Sequence, residues 1–167
     1  MFKKTVFLLI ISSLLTVAHA GLPDANKLQA LKKGLQSQLD AFKLLKNSTG
    51  KCVALDMASI KISGSPALVQ DCTGKPNQKW SVRKGIISNP AKLCIQPVKN
   101  EKGETSLQAV TCTGGPDQVW QVVGKPGKPV EIRKNKQCLA VVTNEKNAFL
   151  VLQGCVAENT GQKWIRE

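Results

Sequence analysis

Tyrosine is absent from the 167 residues, and histidine occurs once, at His19. Aromatic residues make up 4% of the chain, and acidic residues number 11 against 24 Lys and Arg. A long apolar run is missing too. The one mostly apolar stretch, Thr5 to Val17, is shorter than the ~20 residues of a spanning helix. Lys3 and Lys4 precede it and Ala18-His19-Ala20 follows. A basic start, a short apolar middle and a small-x-small end read as a secretory signal peptide over residues 1–20. Cleavage after Ala20 removes the histidine, which excludes Ser-His-Asp and Cys-His catalysis and zinc sites that use histidine. No pair of carboxylates clusters in the sequence. The mature chain therefore reads as non-enzymatic, with no cofactor and no metal. Loss of Lys3 and Lys4 leaves 22 basic and 11 acidic residues, a net charge of +11. The expected product is secreted, extracellular or periplasmic, with no transmembrane segment. The leader and the shortage of rings for base stacking argue against nucleic acid as a partner.

What the mature chain does contain is repetition. Its six cysteines fall in two series: Cys52, Cys94 and Cys138 are 42 and 44 residues apart, and Cys72, Cys112 and Cys155 are 40 and 43 apart. After each member of the second series comes a Gln-x-Trp: Gln78 with Trp80, Gln118 with Trp120, Gln162 with Trp164. An even cysteine count behind a leader implies disulfides in an oxidising compartment. If the three units are structurally equivalent, the bridges are Cys52–Cys72, Cys94–Cys112 and Cys138–Cys155. Each closes a loop of about twenty residues, worth roughly 3 kcal/mol in the chain-entropy model. Strand-like stretches precede each second cysteine (Ala67–Gln70, Leu107–Val110, Leu150–Gln153), and Gly, Pro and Asn punctuate the gaps. Three units are too few for a propeller, which needs about four blades or more. A closed three-fold structure remains, with one tryptophan per unit in a shared core. The fold class expected is all-β, a β-trefoil.

Three units with a cysteine pair and a terminal Gln-x-Trp resemble the ricin B-type lectin family over residues 50–167. The resemblance implies a trefoil of three four-stranded units in which the Gln-x-Trp is structural. It implies carbohydrate or cell-surface recognition as the function. In sugar-binding units of that family an aspartate stands two residues after the first cysteine, where this chain has Ala54, Gln96 and Ala140. An aromatic ring often stands two residues before the second cysteine, where this chain has Gln70, Val110 and Gln153. An Asn commonly precedes the Gln of Gln-x-Trp; Asn77 matches, Asp117 is near, and Gly161 departs. The family's Gln four residues before the second cysteine is matched only by Gln108. The sugar sites are thus degenerate. Candidate carbohydrate-binding residues are Asp56 with Asn77 in the first unit, Asp56 being expected on the same strand face as Ala54. In the second unit they are Gln96, Gln108 and Asp117. The third unit offers, by alternation, one strand face of Phe149, Val151 and Gln153, an apolar patch with a ring. Degenerate sites also give a looser resemblance to the ricin-like binding subunits of cytolethal distending toxins. The alternative function is therefore a protein-binding or cell-binding subunit of a secreted, toxin-like assembly.

Residues 21–49 form a separate segment. Leu28, Leu31, Leu35, Leu39, Phe42 and Leu45 recur at helical steps and predict one amphipathic helix over 22–46, capped by Asp24 and ended by Asn47-Ser48-Thr49-Gly50. Its stripe would pack on the trefoil or a twin helix, lie on a membrane surface, or dock a partner protein. Asn47-Ser48-Thr49 also fits a glycosylation sequon. Basic residues are spread along the trefoil, densest at Arg133-Lys134-Asn135-Lys136. As an exposed patch they would attract acidic glycans or other anionic surfaces on a cell.

Overall fold

Alternation of period two, broken every few residues by turn-formers, governs the chain from residue 43 onward. A computed structural model describes residues 24–39, 41–125, 127–144 and 148–167. The expected signal peptide lies outside these residues. The chain divides into two units, residues 1–37 and 38–167.

In the first unit, helix α1 spans Ala25–Leu39. Asp24 caps it as expected: its side chain accepts from the Asn26 N–H at 3.2 Å and its carbonyl from the Leu28 N–H at 3.0 Å. Leu28, Leu31 and Leu35 are exposed. The helix stops well short of residue 46. Lys43–Asn47 is a strand, β1, with an exposed-to-buried alternation that puts Leu45 and Asn47 inside. Phe42 and Leu45 extend the leucine spacing by coincidence. Over five residues the helical and strand periods fit the same apolar positions, and pairing with three other strands decides for the strand. The expected linker before residue 50 is therefore part of the sheet.

Twelve further strands follow: β2 (Lys51–Ala54), β3 (Ser65–Pro66), β4 (Leu68–Asp71), β5 (Lys79–Arg83), β6 (Ile86–Ser88), β7 (Leu93–Lys99), β8 (Thr105–Thr111), β9 (Gln121–Val123), β10 (Glu131–Lys134), β11 (Gln137–Thr143), β12 (Ala148–Gly154) and β13 (Trp164–Arg166). β1 and five of these close a ring. β13 pairs with β1, β1 with β5, β5 with β6, and β9 with β10. The bridges Ile86↔Val119 and Val130↔Trp164 complete the circuit. The pairs β2–β4, β7–β8 and β11–β12 supply one hairpin per unit. This is a β-trefoil.

The core repeats with the chain. Leu45, Ile87 and Ile132 come from the first strand of each unit, and Val53, Ile95 and Leu139 from the residue after each first cysteine; Trp80, Trp120 and Trp164 complete the set. All nine are at most 2% exposed. The indole N–H groups donate to the carbonyls of Val53, Ile95 and Leu139, each at 2.9 Å. Each tryptophan thus buries its ring and satisfies its one polar atom on its own unit. The disulfides are Cys52–Cys72, Cys94–Cys112 and Cys138–Cys155, with Cα–Cα separations of 5.1, 5.0 and 5.0 Å. Unit equivalence therefore gives the correct pairing among the alternatives.

The junctions between units use buried polar side chains two residues beyond the core position of each first strand. Asn47 donates to the carbonyls of Gly161 (2.8 Å) and Lys163 (3.0 Å) and accepts from the Thr49 N–H. Asn89 donates to the Ile60 carbonyl and accepts from the Leu93 N–H. At the third junction the residue is Lys134, whose Nζ donates to the carbonyls of Pro116 (2.6 Å) and Val119 (3.0 Å) and stands 5.6 Å from the Trp120 ring. Two sequence expectations change here. Asn47 is buried with its amide fully engaged, so the folded chain does not present it as a sequon. The basic run at 133–136 is divided: Lys134 is buried, Arg133 is half-buried and donates through Nε to Glu131 at 2.8 Å, and Lys136 alone among its cations is exposed. Burial holds the Lys134 ammonium below its ordinary pKa, an effect that nearby Asp117 opposes.

Candidate carbohydrate site

Each Gln-x-Trp glutamine is a clamp around the second cysteine of its unit. Gln78 accepts from the Thr73 N–H (2.7 Å) and donates to the Asp71 carbonyl (2.7 Å). Gln118 accepts from the Thr113 N–H (2.7 Å) and donates to the Thr111 carbonyl (2.9 Å). Gln162 accepts from the Val156 N–H (2.7 Å) and donates to the Gly154 carbonyl (2.7 Å). All three are buried. The clamp ties the loop on both sides of the disulfide and fixes the short 3-10 turn that carries the residue before the glutamine.

That preceding residue differs in each unit, and so does what faces it. In the second unit Gln96 on β7 lies opposite Gln108 on β8. Gln118 Nε2 also donates to Gln96 Oε1 at 3.0 Å, so the clamp orients Gln96. Gln108 donates to the Ser106 hydroxyl at 3.1 Å. Both glutamines are half-buried, and Asp117 is exposed on the adjoining turn, Pro116–Gln118. The structure therefore brings Gln96 and Gln108 together on one face, with Asp117 next to the clamp. Among the described residues Gln96 Nε2 and Gln108 Oε1 have no hydrogen-bond partner. They present one donor and one acceptor side by side, which is what adjacent sugar hydroxyls require.

In the first unit Asp56 is not on the strand face expected for it. β2 ends at Ala54, and Asp56 caps the 3-10 turn Met57–Ser59, accepting from the Ala58 N–H at 2.8 Å. The chain leaves the strand here because a short side-chain acceptor satisfies the turn's free N–H. Asn77 is buried and turned toward the backbone, donating to the Leu55 carbonyl at 2.7 Å. Its Oδ1 is buried without a partner. Asp56 and Asn77 thus meet only through Leu55, whose N–H also donates to the Asn77 carbonyl at 3.0 Å. Ala54 is fully buried opposite Leu68.

The third unit is closed. A Cβ on Gly161 would lie 2.7 Å from the Val141 carbonyl oxygen and 2.9 Å from Asn159 Oδ1. No side chain fits where the first unit has Asn77. Ala140 is buried opposite Val151. Phe149 is 45% exposed and lines a groove of about 250 Å³ with Leu68 and Gln70 of β4. The sequence hints at the closure only through the glycine itself; the backbone approach that makes glycine necessary is not written in it. The one grouping of potential metal ligands among the described residues, Glu131 with Cys138 and Cys155, is already committed. Both sulfurs are in a disulfide, and Glu131 receives Lys163 Nζ at 2.6 Å as well as Arg133.

A closed six-stranded ring with three hairpins, three Gln-x-Trp clamps and one polar face define the class as a trefoil lectin fold. A sequence profile of the ricin-type β-trefoil lectin domain matches residues 41–164. The chain belongs to that family. Solved structures share the fold at low identity. A mosquitocidal holotoxin superposes with a TM-score of 0.62 at 22% identity, over 75% of this chain and 17% of the toxin chain. The designed three-fold symmetric protein ThreeFoil gives 0.57 at 20% identity, over 75% and 96%. The β-trefoil lectin of the Vibrio vulnificus hemolysin/cytolysin, solved with N-acetyl-D-lactosamine bound, gives 0.54 at 17% identity, over 75% and 93%. No curated protein sequence matches the chain. Among the described residues no helix is long and apolar enough to cross a membrane.

Proposed function

We propose that this chain is a secreted, non-enzymatic carbohydrate-binding module whose working sugar site lies on the second unit. The observation that carries this reading is the facing pair of Gln96, oriented by Gln118, and Gln108, held by Ser106, both half-exposed with a free hydrogen-bonding atom each. Asp117 supplies a carboxylate at its edge. The first unit offers less: Asp56 is exposed and would accept from a hydroxyl, while Asn77 Oδ1 is buried beyond a ligand's reach. No carboxylate stands at positions 54, 96 or 140, so binding to neutral galactosides is weak. Each missing charge-assisted hydrogen bond costs ~1.5–3 kcal/mol, roughly tenfold to a hundredfold in affinity. The bound Vibrio vulnificus lectin supports sugar binding as the use of this fold. A glycan array with the oxidised chain starting at Gly21 tests the proposal. Signals that vanish in Gln96→Ala/Gln108→Ala, with an unchanged melting temperature, would support it. Signals indifferent to that change, or lost only with Asp56→Ala, would move the site elsewhere.

A second reading, a subunit of a secreted toxin-like assembly, is favoured by α1, whose Leu28, Leu31 and Leu35 stand exposed. Sedimentation of the chain mixed with the products of adjacent reading frames tests it. A complex lost on Leu31→Lys/Leu35→Lys supports that reading, and a monomer in every mixture opposes it.

A further inference from the structure

The closed ring of strands has a mouth, and its lining is one-signed. A cavity of about 510 Å³ opens there, with Val82, Val122 and Trp164 among its apolar walls and Lys43, Lys84, Lys128 and Arg166 among its polar ones. Among the described residues no carboxylate lines it. The nearest acid along the chain, Glu167, is held by Lys46 at 3.1 Å.

The three lysines are not scattered surface charge. They stand 37, 36 and 36 residues before Trp80, Trp120 and Trp164, so each unit contributes one at nearly the same point of its repeat. Arg166 adds a fourth cation two residues after Trp164, where the other units have Val82 and Val122. Among the described residues no ion pair neutralises any of the four. The backbone holds them in place. Lys84 and Gly85, with φ of 48° and 78°, form the two-residue turn between β5 and β6. A Cβ on Gly85 would collide with the Trp120 carbonyl, and the Gly85 carbonyl accepts from the Trp120 N–H at 2.9 Å. That turn is therefore locked against the next unit. Lys128 is tied by its N–H to the Lys125 carbonyl at 3.2 Å, and Arg166 Nη2 donates to the Ala41 carbonyl at 2.9 Å.

Four unneutralised cations around one hollow concentrate a positive potential there. We propose that this mouth is a second binding site, for a saccharide carrying several sulfate or phosphate esters. Its esters would meet the cations and its ring the accessible valines, Val82, Val122 and Val130. The proposal rests on the reading of the chain as a saccharide binder, but it uses none of the residues of the second-unit site. It gives the net charge of +11 a defined place of action that the run at 133–136 does not supply.

The test titrates the whole mature, oxidised chain by calorimetry with two probes: sucrose octasulfate, and a glucosamine disaccharide bearing two phosphates. The tighter probe identifies the ester. Lys84→Glu/Lys128→Glu should weaken binding about tenfold or more, with the melting temperature kept. Lys99→Glu/Lys102→Glu makes the same change in net charge on the β7–β8 hairpin, outside the cavity, and should weaken binding less than about threefold. Gln96→Ala/Gln108→Ala should leave both probes unaffected, which separates this site from the sugar site. Equal weakening by the two charge-reversal variants would show diffuse attraction and overturn the proposal. So would loss through Gln96→Ala/Gln108→Ala, or failure of the unaltered chain to bind either probe.

Discussion

Glu131 is the most heavily committed carboxylate among the described residues: it is buried, with Lys163 Nζ at 2.6 Å and Arg133 Nε at 2.8 Å. The hydrogen bond from Lys163, then that from Arg133, hold its pKa below the ordinary 4.5, against a smaller opposing effect of burial. A carboxylate with a lowered folded pKa stabilises the fold fully above its unfolded value, and that stabilisation is lost as pH falls through the folded value. Glu131→Gln should therefore lower stability near neutrality by ~1.5–3 kcal/mol. The difference between variant and unaltered chain should shrink below pH ~4.5. Denaturant melts at several pH values check this; a gap that widens in acid would contradict it. Gly161 makes an opposite point about space. Adding one methyl there drives it to 2.7 Å from the Val141 carbonyl oxygen, so Gly161→Ala should cost ~1–3 kcal/mol. A melting temperature unchanged in Gly161→Ala would mean that the third unit is not closed as described.

At the scale of elements, the parts legible in the sequence are those that repeat. The disulfide pairs, the tryptophan core and the strand before each second cysteine follow from period and order alone, since equivalent units must solve the same packing problem. What does not repeat was less legible. β1 was hidden because Phe42 and Leu45 continue a leucine spacing. Lys134 was hidden because it fills a place that is asparagine at the other two junctions, Asn47 and Asn89. Asp56 was misplaced because β2 is only four residues long, and its end depends on a turn cap rather than on alternation. In α1, the expected cap at Asp24 and the helical stripe through Leu35 are observed. Gly34 sits in its middle, where an added Cβ would meet nothing within 4 Å. Gly34→Ala should stabilise the helix by ~1 kcal/mol. Amide hydrogen exchange over residues 25–39 should slow, with the trefoil amides unchanged.

For the whole molecule, three-fold symmetry of the scaffold and asymmetry of the surface have different physical origins. The core must be filled in every unit, so tryptophan, clamp and disulfide recur. Nothing in the packing requires a sugar site in every unit. The first unit keeps an inward-turned Asn77, the second a polar pair, the third a glycine. The family and trefoil could be read from Gln-x-Trp and cysteine spacing. The inequality of the units required the register of β7 with β8 and the backbone approach at Gly161. We propose that the second unit binds sugar through Gln96 and Gln108. It is tested most directly by nuclear magnetic resonance titration of the oxidised chain with the strongest glycan from the array. Sugar binding there gives saturable shifts of the Gln96 and Gln108 side-chain amides, with the amides around Gly161 and Phe149 silent. Saturable shifts centred on the third unit, with Gln96 and Gln108 unmoved, would contradict it.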